Sequence, residues 1–386
     1  MLAGVVDRPP FSAAELGSVL APLAQAEPLP KAAYTDPRIF ELERARLFER
    51  TWLAVGRSEE VEAPGSFVLA PVTAEGVLVV RGADLRLYAH FNVCRHRGAL
   101  LCRERAGRAE AFVCPYHAWR YEQSGRLSAA PGTDGLSHFR LSDHGLSPVR
   151  VAEWKGFVFV NLDAEAAPLA DALAPVPAHL ERLHLGQLRL GRRVEHEVAA
   201  NWKLLIENFQ ESHHFRTVHR ALERWTPFER SSSFIADGAW LGGTMELVDE
   251  AETVSLDGQR HGRPLLGGTS ELDRRRVYDY FCWPNLLLSA QPDYLLSYRV
   301  WPLGPARSRV TADILFHPAA VVEGFEPSDV YEFWDVTNRE DREICESQQI
   351  GVASRGYGRG RYATSEDGTH AFDGRIARFY LEQMER

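Results

Sequence analysis

The stretches Cys94-Arg95-His96-Arg97-Gly98 and Cys114-Pro115-Tyr116-His117 give the chain a C-x-H motif followed by a C-x-x-H motif. Two cysteines and two histidines in this order suit an iron–sulfur cluster in which the Cys pair holds one iron and the His pair holds the other, an arrangement that raises the reduction potential. The short spacings predict two loops, each offering one Cys and one His to a shared site. Gly98 gives the backbone freedom after the first pair, and Pro115 stiffens the second loop.

A structural zinc site is the alternative interpretation, because zinc also binds two Cys and two His. Zinc patterns usually group the cysteines together and the histidines together, whereas each loop here carries a mixed pair. The spacing therefore favours the iron–sulfur cluster. The stretch resembles the Rieske [2Fe–2S] motif, and Trp119 fits that family too. This resemblance implies that the cluster is held by Cys94, His96, Cys114 and His117.

Composition restricts the class of protein and the kind of partner. The chain has 386 residues, of which 45% are hydrophobic and 25% charged, as expected for a soluble globular protein of about two to three domains. A net charge of −9 without a basic run argues against a nucleic-acid partner. No secretory signal and no apolar run of membrane-spanning length is recognisable, so we expect a cytoplasmic protein without a membrane partner.

Five cysteines are present, at positions 94, 102, 114, 282 and 345. Two belong to the motif, and the scattered positions of Cys102, Cys282 and Cys345 favour inert buried thiols over a disulfide framework. A reducing compartment fits this pattern and an iron–sulfur cluster.

The apolar pattern divides the chain into three parts. Residues 1–45 predict helices, with a capping box at Ser12 and Glu15, and a second helix is expected at about 37–50. Residues 46–163 contain short apolar runs broken by Gly, Pro and Asp, which predict a small all-β domain whose loops carry both Cys/His pairs. Residues 164–386 begin with a Pro- and Ala-rich linker at 164–177. They continue with a strand at 189–199, strands at about 233–318, a long helix at about 327–350 and a short terminal helix.

A second cluster of polar residues lies at 201–219, where three histidines and two glutamates occur in one apparent helix. Glu211 and His214 are three residues apart and share a helix face. His214 and His219 are five apart, so they can share a metal only if the helix is distorted or ends between them. The alternative is a polar helix with surface histidines.

Over nearly its whole length the chain resembles the α subunit of a Rieske non-heme iron oxygenase, of the aromatic-ring-hydroxylating dioxygenase superfamily. The resemblance implies an α+β protein. A small all-β Rieske domain is followed by a helix-grip catalytic domain, an antiparallel sheet with helices, on which the N-terminal helices pack. It also implies a mononuclear Fe(II) held by His214, His219 and a carboxylate of the long C-terminal helix. We choose Asp341 for that carboxylate over Glu340 and Asp335.

The resemblance further implies a head-to-tail homotrimer in which electrons cross a subunit boundary. Glu211 is then the acid that links the two metal sites. It would accept one hydrogen bond from His214 of its own chain and one from His117 of the partner subunit.

The substrate expectation comes from the branch that the sequence resembles most, which contains choline monooxygenase, carnitine oxygenase and the glycine-betaine and stachydrine demethylases. Residues 197–203, 284–289 and 292–294 carry this resemblance, while His213 replaces the usual Tyr and Phe215 the usual Cys. We expect monooxygenation of a small substrate, by hydroxylation or N-demethylation of a quaternary or methylated amine. Aromatic faces favour such cations. The candidate cage residues are Phe209, Phe281, Trp283, Tyr294 and Trp301, and the alternative for each is an aromatic residue of the core on a strand.

Two alternatives remain. One is hydroxylation of an aromatic ring by the same iron chemistry. The other is a non-enzymatic Rieske electron carrier, which is disfavoured because about two hundred residues with a second His/acid set follow the Rieske motif. The chain has no Rossmann glycine fingerprint, so NAD(P)H and flavin chemistry is expected on a separate reductase, with or without a ferredoxin.

Overall fold

The structure is a computed structural model that describes residues 10–235 and 238–385. It forms two compact units, one comprising residues 48–171 and the other comprising the described residues up to Leu47 together with the described residues from Ala172 onward. The N-terminal helices and the C-terminal half thus share one unit.

Three short helices begin the described chain. They are α1 (Ala13–Val19), α2 (Ala32–Thr35) and α3 (Pro37–Glu43). The capping box at the start of α1 is present, since the Ser12 hydroxyl accepts from the Glu15 amide at 3.2 Å and the Glu15 carboxylate accepts from the Ser12 amide at 2.9 Å. A π-helical turn follows α3 over Arg44–Phe48, so the helical path reaches nearly to the predicted end at residue 50.

The first unit, residues 48–171, is built from short antiparallel strands, as predicted for the β domain. Its ten strands are β1 (Leu53–Arg57), β2 (Ser66–Val72), β3 (Glu75–Arg81), β4 (Leu87–Phe91), β5 (Ala106–Arg108), β6 (Ala111–Val113), β7 (Arg120–Glu122), β8 (Leu127–Ala129), β9 (Arg150–Trp154) and β10 (Phe157–Asn161). They form three sheets in the orders β1-β10-β9, β4-β3-β2-β5 and β6-β7-β8. Leu78, Val80, Tyr121 and Leu127 are fully buried between them. The segment predicted as a linker contains a short helix, α4 (Leu169–Leu173).

The second unit is an antiparallel sheet covered by helices. In chain order its remaining elements are α5 (Ala178–Arg182), β11 (Arg189–Val198), α6 (Trp202–Phe209), α7 (Arg220–Trp225), β12 (Ser231–Ile235), β13 (Trp240–Glu246), β14 (Arg276–Cys282), β15 (Leu286–Ala290), β16 (Tyr294–Gly304), β17 (Arg307–Phe316), α8 (Ser328–Ala353) and α9 (Asp367–Met384). The sheet order over the described strands is β11-β17-β16-β15-β14-β13-β12. Helix α8 packs on β11 and α6, and α9 packs on α6, β12 and β13. This is the α+β arrangement that the resemblance implied.

The single helix expected at 201–219 is wrong. Helix α6 ends at Phe209, residues His213–Arg216 form a 3-10 turn, and α7 begins at Arg220. The Glu211 carboxylate accepts the backbone N–H of His214 at 3.2 Å, so a side chain replaces the helical acceptor and the α-helix stops. The terminal helix α9 is longer than expected, at 18 residues. None of the described helices has the length and hydrophobicity needed to cross a bilayer.

Candidate iron–sulfur and mononuclear iron sites

The two Cys/His motifs form two loops of similar shape. Gly98 and Ala118, each four residues after a Cys, have positive φ angles of 76° and 57°. Each donates its N–H to the carbonyl of that Cys at 3.0 Å, and the Cys amides are bonded to the other ends of the loops at 2.8 Å. The loops therefore hold their backbone shape through internal hydrogen bonds, which presents the Cys and His side chains together.

The four side chains have the donor set of a Rieske cluster. Cys94 and Cys114 are buried, and the ring centres of His96 and His117 lie 4.6 Å apart. The buried Nδ1 of His117 has no hydrogen-bond partner in the structure, as a nitrogen kept for a metal would have. Two sulfurs and two imidazoles at one site therefore fit a [2Fe–2S] cluster bound by these residues.

Two aromatic residues support these side chains. The Trp119 ring stacks on His96 with centres 4.8 Å apart. The Tyr121 hydroxyl lies 3.2 Å from the Cys94 sulfur and accepts the Arg95 amide at 3.0 Å. The sequence motif contained Trp119 but gave no signal for Tyr121, because its position follows from the pairing of β6 with β7.

In the second unit, three of the predicted residues converge. Single donor atoms of His214, His219 and Asp341 all lie within 4.8 Å of one another. Asp341 Oδ1 is 2.8 Å from Nε2 of His219 and 3.8 Å from Nε2 of His214. The convergence depends on the break after α6, because a continuous helix would point the two rings in different directions.

The opposite nitrogen of each ring is held by a carboxylate. His214 Nδ1 lies 2.6 Å from Glu211 Oε1, and His219 Nδ1 lies 2.8 Å from Glu340 Oε2. Because an ionised carboxylate only accepts, each Nδ1 carries a proton, which leaves Nε2, directed to Asp341, as the nitrogen that a metal would bind. Glu340 therefore contacts the far side of a ring, whereas Asp341 faces both Nε2 atoms.

The electrostatics of the group suit a cation. Burial alone would raise the pKa of Asp341, but hydrogen bonds and charge from His219, His214 and Asn208 hold that pKa below its usual value. Asn208 donates its amide N–H to Asp341 Oδ1 at 2.6 Å. Asp335, the remaining candidate on α8, instead pairs with Arg192 at 2.9 Å on the exposed surface. Two imidazoles and one carboxylate at a cavity wall fit the donor set of a mononuclear non-heme iron.

These three residues border a cavity of about 430 Å³. The sheet supplies one wall through Leu287, Tyr298 and Val300, and α6 and α8 supply another through Phe209 and Trp334. Glu211 and the unexpected Phe215 also line it. A ligand in this cavity would lie directly against the His/Asp cluster.

Comparison with known proteins places these features in a family. Residues 51–140 match the Rieske [2Fe–2S] domain, and residues 185–382 match the ring hydroxylating alpha subunit (catalytic domain). The glycine betaine monooxygenase oxygenase subunit of Pseudomonas aeruginosa is 31% identical over 367 residues, covering 87% of this chain and 84% of the relative. The chain belongs to the Rieske ring-hydroxylating oxygenase family.

Two further relatives of this Rieske oxygenase extend the likeness. The carnitine monooxygenase oxygenase subunit of Acinetobacter baumannii is 27% identical, with 91% of this chain and 94% of the relative covered. A solved quaternary ammonium Rieske monooxygenase, described in connection with carnitine oxidation and inter-subunit electron transfer, is 25% identical. It has a TM-score of 0.82 and covers 96% of this chain and 99% of its own.

Family membership confirms the predicted fold and cofactor class. As a Rieske oxygenase the chain is an oxidoreductase that uses O₂, with a [2Fe–2S] cluster and a mononuclear iron as cofactors. It follows that neither a zinc-binding structural protein nor a simple electron carrier describes it.

The predicted aromatic cage is mostly wrong. Of the five candidates, all of them in the described chain, only Phe209 lines the cavity. Phe281 and Trp283 pack against Phe372 of α9, and Tyr294 is buried, with its hydroxyl bonded to Val254. The aromatic rings that do line the cavity are Phe209, Phe215, Tyr298 and Trp334. Strand register, which the sequence pattern did not fix, decides which ring faces the ligand.

Proposed function

We propose that this Rieske oxygenase is the terminal oxygenase component of a monooxygenase that acts on a small quaternary ammonium or methylated amine. Relatives described as acting on glycine betaine and carnitine support this substrate class. The observation that carries the proposal is the convergence of His214, His219 and Asp341 on one wall of a 430 Å³ cavity. That volume lies within the range of about 300–1,000 Å³ that is usual for small-molecule sites.

The proposed reaction inserts one oxygen atom of O₂ into a C–H bond and reduces the other to water, which consumes two electrons and two protons. When the hydroxylated carbon is bonded to nitrogen, loss of the hydroxyl proton breaks the C–N bond and yields an aldehyde and a tertiary amine. The bound iron would activate O₂ for this insertion, with electrons delivered through the [2Fe–2S] cluster.

The residues of the chain have separate tasks in this proposal. Cys94, His96, Cys114 and His117 hold the cluster, and His214, His219 and Asp341 hold the mononuclear iron. Glu211 and Glu340 fix the tautomer and orientation of the two ring ligands, as carboxylates beside metal-bound histidines do. Asn208 orients Asp341 through its amide.

We also propose a homotrimer in which Glu211 joins His214 to His117 of the partner subunit. A relative described in terms of inter-subunit electron transfer supports this arrangement. The exposed faces of the cluster loops support it as well, since Val93, Leu100 and Tyr116 are apolar residues that are 36%, 52% and 56% exposed. Electrons would come from a separate NAD(P)H-dependent reductase with flavin, directly or through a ferredoxin.

We place this enzyme in the cytoplasm. The support is that all five cysteines are free and buried, as suits a reducing compartment.

The substrate class can be tested by O₂ uptake. The reconstituted oxygenase, with a surrogate reductase and NADH, would be offered glycine betaine, carnitine and choline beside benzoate and naphthalene. We expect substrate-dependent O₂ uptake and aldehyde release with at least one quaternary amine and none in an Asp341→Ala control. Turnover confined to the aromatic compounds, with hydroxylated rings as products, would replace our proposal by ring hydroxylation.

A further inference from the structure

The sheet wall of the cavity carries a carboxyl group, that of Asp279, which is not part of the proposed iron site. Asp279 lies on β14, opposite Gly243 of β13 and Ser289 of β15. All three residues line the cavity. Asp279 as a residue is half-buried, so part of it remains accessible where it lines the cavity.

Asp279 has the Ser289 hydroxyl as a partner but, among the described residues, no basic group that would balance its charge. Its Oδ1 is buried and has no hydrogen-bond partner in the structure. Burial raises the pKa of Asp279 to about 7, and only the Ser289 hydroxyl opposes this shift. An unpaired buried acid costs folding free energy, so its presence in a cavity points to a task in binding.

We propose that Asp279 is the counter-charge for the substrate's ammonium group and that it selects permanently cationic substrates over neutral molecules of the same shape. This inference rests on the proposed function and names the group that determines its substrate class. A quaternary ammonium group cannot donate a hydrogen bond, so it is recognised by charge and by aromatic faces. The Asp279 carboxyl group and the Tyr298 ring, which both line the cavity, offer the two.

The iron-site acids are poorly suited to this task. Glu211 and Asp341 are each already bonded to a histidine, and in the proposed enzyme they serve the metal. Among the other charged residues of the described lining, Asp367 begins α9 and Arg342 carries the opposite sign. On the sheet wall of the cavity, Asp279 is therefore the acidic residue that remains available to bind a ligand.

The proposal predicts how binding depends on pH. In the empty cavity Asp279 becomes ionised as the pH rises through about 7. The neighbouring tyrosines, Tyr280 and Tyr298, have raised pKa values and stay neutral over this range. Arg342 and Asp367 also line the cavity. Affinity for a quaternary cation should therefore rise between pH 6 and 8 and then level off.

The test compares cations with neutral isosteres in equilibrium binding. Anaerobic calorimetry on the holoenzyme would use choline against 3,3-dimethylbutan-1-ol, a neutral molecule of the same shape in which carbon replaces the quaternary nitrogen. For Asp279→Asn we expect Kd for the cation to rise about 10- to 100-fold, Kd for the isostere to stay within about twofold, and the pH dependence to disappear. The matched control is Asp249→Asn, because Asp249 has a side chain that is 97% exposed.

Misfolding would not imitate this result. Since Asp279 has a raised pKa in the folded state, its ionisation destabilises the protein at high pH, and Asp279→Asn should unfold at a higher temperature than the wild type at pH 8. Equal loss of affinity for cation and isostere, or an unchanged cation preference in Asp279→Asn, would overturn the inference. Cation-selective binding that depends on Asp279 but leads to no turnover would overturn only the proposed function.

Discussion

At the scale of single residues, two neighbouring acids on α8 contact opposite sides of the site. Asp341 faces both Nε2 atoms, whereas Glu340 holds Nδ1 of His219. Asp341→Ala should lose the mononuclear iron and all turnover while keeping the Rieske absorption spectrum. Glu340→Gln should keep the iron with activity or metal affinity reduced about 10- to 100-fold. Iron analysis and turnover of both variants check this, and the reverse pattern would make Glu340 the ligand.

A second prediction at this scale separates a bridge from a ligand. The Glu211 carboxylate is bonded to Nδ1 of His214, which is the ring nitrogen that faces away from the proposed metal. Glu211→Gln keeps an acceptor for that ring, so both iron sites should load and reductase should still reduce the cluster. Product per reduced cluster in a single turnover should nevertheless fall about 10- to 100-fold. Loss of mononuclear iron in this variant would contradict a role confined to electron transfer, because it would show that Glu211 is needed to hold the metal.

The chemistry of the site could be predicted from the sequence where it depends on local spacing. The pairs Cys94/His96 and Cys114/His117 are close along the chain, and so are Glu211 and His214. Glu340 and Asp279 gave no such signal, because their positions near a ring or a cavity arise from packing between elements distant in sequence. The prediction of the aromatic cage fails for the same reason. Phe281 and Tyr298 are both aromatic residues on strands, and only the direction that each side chain faces decides which of them lines the cavity.

At the scale of elements, the segment after α6 decides whether the site forms. Periodicity predicted one helix through His219. It contains no information on the hydrogen bond from the His214 backbone N–H to the Glu211 carboxylate, which accompanies the break in the helix. The start of α9 approaches this break closely, since Thr369 donates its hydroxyl to the Glu207 carbonyl at 3.2 Å. The length of α9 was underestimated because its buried face shows little apolar periodicity, with Gly368, Thr369 and Asp373 among the buried residues.

Two glycines of α9 test this contact. A Cβ added at Gly368 would lie 2.6 Å from the Gln210 carbonyl oxygen, beside Glu211, whereas one at Gly374 would meet side-chain atoms at 3.7 Å or more. Gly368→Ala should therefore destabilise the protein by about 1–3 kcal/mol and lower iron occupancy. Gly374→Ala should stabilise it by about 0.5–1 kcal/mol, because alanine favours the helix. Calorimetric unfolding and iron analysis of the two variants compare one added methyl group at two positions of a single helix.

At the scale of the whole molecule, the proposed trimer makes each active site the product of two subunits. The cluster loops expose apolar side chains. The two Glu211 oxygens contact the ring and the backbone N–H of His214, and each keeps a further lone pair with which to accept a second imidazole N–H. A monomeric enzyme would need neither feature. Residue spacing cannot reveal this level of organisation, because the partner surface is another copy of the same sequence.

Mixed trimers test whether electrons cross between subunits. His96→Ala should lose the cluster, His219→Ala should lose the mononuclear iron, and each variant alone should be inactive. Co-expressed with two different tags and purified through both, they should regain activity if the cluster of one subunit serves the iron of the next. Every trimer that carries both tags has one boundary at which a cluster-bearing subunit meets the iron of the next subunit, so one of its three sites is active and about one third of the wild-type rate is expected. Mixing the separately purified, non-exchanging trimers is the control. Co-purified trimers that remain inactive, although each variant retains its other metal, would show that transfer stays within one chain.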